Sequence, residues 1–180
     1  MSRIIKKEIT DEKNEKIKTD DKPWYKRWYI IMTICIVVFM SIFNYNFTIV
    51  MISGDSMEPN FHDGNILLGD RQYNYIDRND VVVINSKDAG KVLIKRVIGL
   101  PGDHIEYKDN QLWVNGEYAT DIYSNGYTNN FIIDVPEDSY FCLGDNRENS
   151  WDSRKYGSFE SKDILAKLKV KQYTKFTFNK

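Results

Sequence analysis

Ser53-Gly54-Asp55-Ser56-Met57-Glu58-Pro59 is the stretch on which the reading of this chain turns. It begins just past a long apolar run, where a chain leaving a membrane first meets water. It sets a serine between an acidic residue and a methionine, shortly before a proline. A serine hydroxyl is a weak nucleophile unless a neighbouring base takes its proton. The rest of the sequence is therefore read for a base that serves Ser56.

Upstream, residues 28–50 contain no charged side chain, and residues 30–43 are almost wholly apolar. At 1.5 Å per residue, about 21 helical residues span roughly 30 Å, the thickness of a bilayer's hydrocarbon. Trp24, Tyr25, Trp28 and Tyr29 form an aromatic belt beside Lys22, Lys26 and Arg27, and no basic residue follows the run until Arg71. The positive-inside rule then predicts a cytoplasmic polar tail over residues 1–27, an anchor helix over 28–50 and an extracytoplasmic domain over 51–180. The tail carries nine Lys/Arg against six Asp/Glu, too polar to bury a helix face. A cleaved secretory signal needs small residues at −1 and −3. Asn44-Tyr45-Asn46-Phe47-Thr48 offers none, so an uncleaved anchor is expected.

The outer segment is mildly acidic, with 16 Lys/Arg against 20 Asp/Glu, and its texture is β. Strand-like runs recur at 66–68, 81–84, 92–100, 111–114, 131–135, 140–143 and 167–178. Turn signals separate them, among them Pro101-Gly102-Asp103 and Asn115-Gly116, the latter predicting a hairpin over 111–118. One or two helical turns are expected over 160–167, capped by Ser158 or Ser161. Overall the chain reads as mostly β, an antiparallel sheet domain behind one N-terminal transmembrane helix. A formal net charge of −1 gives no reason to expect nucleic acid. Cys35 lies in the apolar run and Cys142 in a distant strand, so no disulfide is expected, and no Cys/His spacing suggests a metal.

Two kinds of base compete for Ser56. In Lys91-Val92-Leu93-Ile94-Lys95-Arg96-Val97-Ile98-Gly99, alternation places Leu93, Lys95 and Val97 on one strand face and Val92, Ile94, Arg96 and Ile98 on the other. Apolar residues on both faces predict a strand covered on both sides. A lysine so embedded loses hydration, which lowers its pKa, and its neutral amine is a competent general base. Alternatively Lys95 reaches a carboxylate at a sheet edge. His62 and His104, the only histidines, stand in turns, and a Ser-His-Asp arrangement stays open by counting alone. A third stretch, residues 143–154, follows a β run directly yet holds only Trp151 as a large apolar side chain after Leu143. Its pairs Asp145/Arg147 and Asp152/Arg154, at i,i+2, are expected to form charge-assisted bonds that stiffen the loop. Ser150 and Ser153 are candidate partners for a neutral amine.

Taken together, Ser56-Met57-Glu58-Pro59 outside an anchor, Lys95-Arg96-Val97-Ile98-Gly99-Leu100-Pro101-Gly102-Asp103, and Gly144-Asp145-Asn146-Arg147 followed by Ser150 and Asp152-Ser153-Arg154 resemble type I bacterial signal peptidases. The resemblance covers essentially the whole chain. It implies a signal-peptidase-type β fold, Ser56 as nucleophile and Lys95 as general base, with no cofactor. It implies Ser150 as a hydrogen-bond partner of the amine, and Asp152, Arg154 and Asp145 as supporting residues. Ile52, Met57, Leu93 and Ile94 would line shallow pockets for small side chains at −1 and −3. The implied partners are secretory precursors, the lipid bilayer and, as a candidate, the translocation machinery. Two departures stand out. Gly54 occupies a position where some members carry an oxyanion-binding serine, leaving main-chain N–H groups such as that of Ser56 for the task. Asn60 replaces a frequent threonine, with little consequence expected.

Overall fold

The structure, a computed structural model, describes residues 24–121 and 123–170. The polar tail up to residue 23 and the expected strand beyond residue 170 lie outside the described residues.

The apolar run forms helix α1 (Trp24–Asn46). Its residues from 27 to 42 are exposed throughout. Its two aliphatic hydroxyls fold back on the helix itself: Thr33 Oγ1 donates to the Tyr29 carbonyl at 2.8 Å and Ser41 Oγ to the Val37 carbonyl at 2.7 Å. The helix stops four residues before the expected end. Residues 47–50 join strand β1 (Phe47–Met51) instead, because Thr, Ile and Val there pair antiparallel with β2 (Ile66–Asp70).

From Asn44 onward the chain is a separate unit built from two sheets. The first contains β1, β2, β3 (Val81–Ser86), β4 (Lys91–Gly99), β9 (Ser139–Leu143), β10 (Phe159–Glu160) and β11 (Ile164–Leu168), in the order β1-β2-β11-β3-β4-β9-β10. The second contains β5 (His104–Lys108), β6 (Gln111–Val114), β7 (Glu117–Ala119) and β8 (Phe131–Asp134), in the order β7-β6-β5-β8. Every named strand pairing is antiparallel. Asn115 and Gly116, at φ 53 and 81, supply the two left-handed residues that the β6–β7 hairpin requires.

The helix expected over 160–167 is corrected: only Ser161–Asp163 is helical, a single 3-10 turn, and β11 follows. Ile164, Ala166 and Leu168 alternate inward, and β11 is wedged between β2 and β3. Two flanking strands offer the short apolar run more backbone partners than a lone helical turn does.

β3 and β4 occupy the middle of the first sheet, and their register pairs Val82 with Lys95 and Val81 with Arg96. Directly opposed residues share a face. Lys95 therefore lies on the face of Val82, Ile84, Leu93 and Val97, and Ile94 and Arg96 lie on that of Val81 and Val83. Each face carries a buried apolar cluster of its own. A third cluster joins Ile98, Phe141 and Leu143 of the first sheet to Ile105, Tyr107, Leu112 and Val114 of the second. Burying side chains of this size contributes about 1.5–3 kcal/mol each, which holds β4 rigid where its two buried basic residues, Lys95 and Arg96, sit.

Candidate active site

Lys95 is 3% exposed, and its Nζ lies 2.7 Å from Ser56 Oγ as donor. Burial pushes the amine pKa down from 10.5 to about 8. The negative charges of Asp152 and Asp145 oppose that fall, while the positive charges of Lys91 and Arg154 deepen it. Neither histidine competes for the serine. His62 is exposed beside Glu58, and His104 pairs with Asp134 on the second sheet.

The serine loop is held from several sides. Met57, 1% exposed, anchors it in the cluster with Val81 and Val83. Ile52 N–H donates to the Asn65 carbonyl at 2.9 Å, and Gly54 N–H to Asp63 Oδ1 at 2.7 Å. Gly54 adopts φ +87, which explains glycine here: a Cβ would meet no atom within 4 Å, but any other residue would be strained in that backbone. Ser56 N–H has no hydrogen-bond acceptor among the described residues, so this donor is open to a substrate oxygen.

The polar loop after β9 completes the site, and it is an interior structure. Asp145 and Asp152 are fully buried and Arg147 is 2% exposed. Asn146 clamps the serine loop twice, through N–H to the Ser56 carbonyl at 3.1 Å and through Nδ2 to the Asp55 carbonyl at 3.2 Å. Asn149 Nδ2 adds a bond to Asp55 Oδ2 at 2.8 Å. Gly144 lies where the two loops meet: a Cβ there would overlap Ser150 Oγ and stand 2.5 Å from the Ser56 carbonyl oxygen. Ser150 Oγ is buried and does not bond the lysine amine in this structure; its hydroxyl lies against Asp152 and helps to lower that carboxyl's pKa.

Of the two expected i,i+2 ion pairs, one exists. Asp152 receives Arg154 Nη2 at 2.7 Å and Nε at 2.8 Å, accepts Gly144 N–H at 3.0 Å, and caps helix α2 (Ser153–Tyr156). Burial pushes the Asp152 carboxyl upward, but Arg154 and the Gly144 N–H outweigh it and hold the pKa below the usual carboxylate value. The Asp145/Arg147 pairing is corrected. Asp145 turns inward to Arg96, at 2.7 and 2.6 Å, and Arg147 pairs with Asp121 at 2.5 Å. The buried Arg96 guanidinium requires a two-oxygen acceptor, and Asp145 is the carboxylate within reach. Burial raises the Asp145 pKa, with Arg96 and Asn60 acting against the rise. Asn60 is a linker whose Nδ2 bonds Asp145 Oδ2 at 2.9 Å and the Tyr123 carbonyl at 3.0 Å.

Beside the serine runs a groove of about 390 Å³, lined by residues 50–57, residues 91–95, Asn149 and Trp151. All four expected pocket residues line it, with Ile52, Met57 and Leu93 buried and Ile94 partly so. β9 pairs with β4 only from Arg96 onward, so residues 91–95 of β4 have no strand on the groove side among the described residues. Sequence reasoning missed Asn60, Asn146, Asn149 and the Arg96–Asp145 pair. Their one advance signal was the density of polar residues directly after an apolar strand. Among the described residues no group of His, Cys, Asp and Glu is placed to hold a metal ion.

A serine hydroxyl bonded to a desolvated amine, beside an open strand edge, is an arrangement in which a base can serve a serine nucleophile. The comparisons with known proteins point to a serine peptidase. The family model described as signal peptidase, peptidase S26, matches residues 25–173. A signal peptidase I of Bacillus amyloliquefaciens is 36% identical, covering 93% of this chain and 96% of its own length. Signal peptidase I V of Bacillus subtilis is 36% identical over 77% of this chain and 93% of its own length. The crystal structure of a signal peptidase I from Enterococcus faecalis superposes with a TM-score of 0.50 at 32% identity, covering 54% of this chain and 99% of that one. The chain belongs to the signal peptidase family, peptidase S26, and is a serine peptidase.

Proposed function

We propose that this peptidase removes N-terminal signal peptides from secreted precursors, cleaving after small residues by a Ser56/Lys95 dyad through an acyl-enzyme. The observation that carries the reading is the 2.7 Å bond between Lys95 Nζ and Ser56 Oγ at a 3% exposed lysine.

In the first step neutral Lys95 takes the Ser56 proton as Oγ attacks the carbonyl carbon of the scissile bond. The tetrahedral oxyanion is stabilised by the Ser56 N–H, which has no hydrogen-bond acceptor of its own among the described residues. Collapse breaks the C–N bond, and the Lys95 ammonium returns its proton to the departing amine of the mature protein. The signal peptide remains as an ester on Ser56. Lys95 then deprotonates a water, which attacks the ester and frees the carboxylate and the serine. Asp152, Arg154 and Asp145 act by holding the loops, and the buried Ser150 hydroxyl, which lies against Asp152, would turn to orient the amine. Neutral base is needed, so activity rises with pH as the amine titrates near 8.

An extended precursor segment adds along the free edge of β4. Ile52, Leu93, Ile94 and Met57 give an apolar floor with shallow room, which favours small side chains at −1 and −3. Exposed apolar side chains along α1 support a single lipid-spanning anchor. The basic residues before the helix support a cytoplasmic N-terminus with residues 51–180 outside. Precursors delivered by the translocation machinery would meet the site there.

Replacing Ser56 or Lys95 by alanine is expected to abolish precursor cleavage by purified protein in detergent, at least about a thousandfold, while Ser150→Ala slows it. Normal cleavage by Lys95→Ala removes the dyad from the account.

A further inference from the structure

The groove beside the dyad has a wall that the proposed chemistry leaves unused. Trp151 is 59% exposed, although the residues on both sides of it are held: Ser150 Oγ is buried and Asp152 is fully buried. The indole therefore projects from a fixed stretch of backbone. Lys155 Nζ lies 3.1 Å from the centroid of its ring and 5.8 Å from that of Tyr156, so a cation braces one face of the indole. With Asn149, Trp151 lines the groove alongside residues 91–95 of β4 and the Ser56 loop. The groove's floor is of a different kind, for Ile52 and Leu93 are only 3% and 7% exposed.

An extended peptide presents alternate side chains to opposite sides. With −1 and −3 turned to the floor, −2 and +1 turn to the exposed lip on which the indole stands. We infer that Trp151 is a specificity-determining residue that selects bulky apolar or aromatic side chains at −2 or +1 of the substrate, with Lys155 as a positioning residue that holds the indole. This inference rests on the reading of the groove as the peptide site. A side chain laid on the indole gains what an aromatic contact gives, about fivefold in kcat/KM.

The experiment uses the full-length protein in detergent micelles and synthetic signal-peptide substrates with alanine fixed at −1 and −3. Position −2 or +1 carries either alanine or phenylalanine, and Ser56→Ala protein serves as the blank. The wild type is expected to prefer phenylalanine over alanine about fivefold at one of the two positions. Trp151→Ala abolishes that ratio and Trp151→Phe keeps part of it. Lys155→Met weakens it and Lys155→Arg restores it. Cleavage in which the wild type shows no such ratio, or in which Trp151→Ala leaves it intact, overturns the inference and leaves the peptidase reading standing. Failure of the wild type to cleave any peptide above the blank overturns that reading itself.

Discussion

Lys95 and Arg96 are neighbours on one strand, both cationic residue types and both almost wholly buried, yet the protein treats them in opposite ways. Arg96, on one face of β4, donates to both oxygens of Asp145 and to the Asn79 carbonyl at 2.8 Å, and stacks 3.8 Å over the Tyr123 ring. Lys95, on the other face, has a neutral serine hydroxyl as its bonded partner, and burial takes its pKa to about 8. A buried charge with a full set of partners stays charged and serves structure. A buried amine denied a carboxylate becomes a base, and the fold bears the cost of keeping it there.

That contrast breaks most visibly through Arg96. Arg96→Met leaves Asp145 buried without its partner and is expected to destabilise by about 3–5 kcal/mol, measured by urea unfolding of the detergent-solubilised protein. Lys95→Met should act with the opposite sign. Below pH 8 both folded and unfolded chains hold the lysine proton, so the wild type bears the full burial cost. Between 8 and 10.5 the folded amine releases its proton first, and above 10.5 the cost is gone. Lys95→Met is therefore expected to be more stable than the wild type by up to about 3 kcal/mol at pH 6. The advantage should shrink as pH rises from 8 to 10.5. A Lys95→Met protein less stable than the wild type at pH 6 would show that the amine is not strained by burial. Asn60→Ala sharpens the Arg96 side at a smaller scale. Losing its bond to Asp145 should cost about 1–3 kcal/mol, read by the same unfolding experiment.

The contrast was half visible in the sequence. Apolar residues on both faces of 92–98 announce a covered strand, so the desolvation of Lys95 follows from local pattern. The fate of Arg96 does not, because its partner is 49 positions away and separated by the whole second sheet. Separation along the chain likewise hid Arg147–Asp121. The i,i+2 spacing that made Asp145/Arg147 attractive considers only neighbours along the chain, whereas buried guanidinium groups are satisfied by whichever carboxylate the fold brings near. Asp152/Arg154 was legible because its pairing is truly local, with the same Asp capping α2. The strands at 66–68, 81–84, 92–100, 111–114, 131–135 and 140–143 were legible for their β-branched and aromatic content. β11 was misread because Ile164-Leu165-Ala166-Lys167-Leu168 is short enough to fit either period, and only β2 and β3 decide it. The asparagines at 60, 146 and 149 carry no periodic pattern, and only the polar density of the loop after β9 hinted at the last two. Their roles arise from loops that meet in space.

Whether Lys95 is the base is read from the pH dependence of kcat/KM on a signal-peptide substrate, because that profile reports the free enzyme's essential groups. With Lys95 as base, kcat/KM rises about tenfold per pH unit at low pH and levels off above a pKa of about 8. A profile governed instead by a group near 6.5, the range of an ordinary histidine, and still present in Lys95→Ala, would contradict that role.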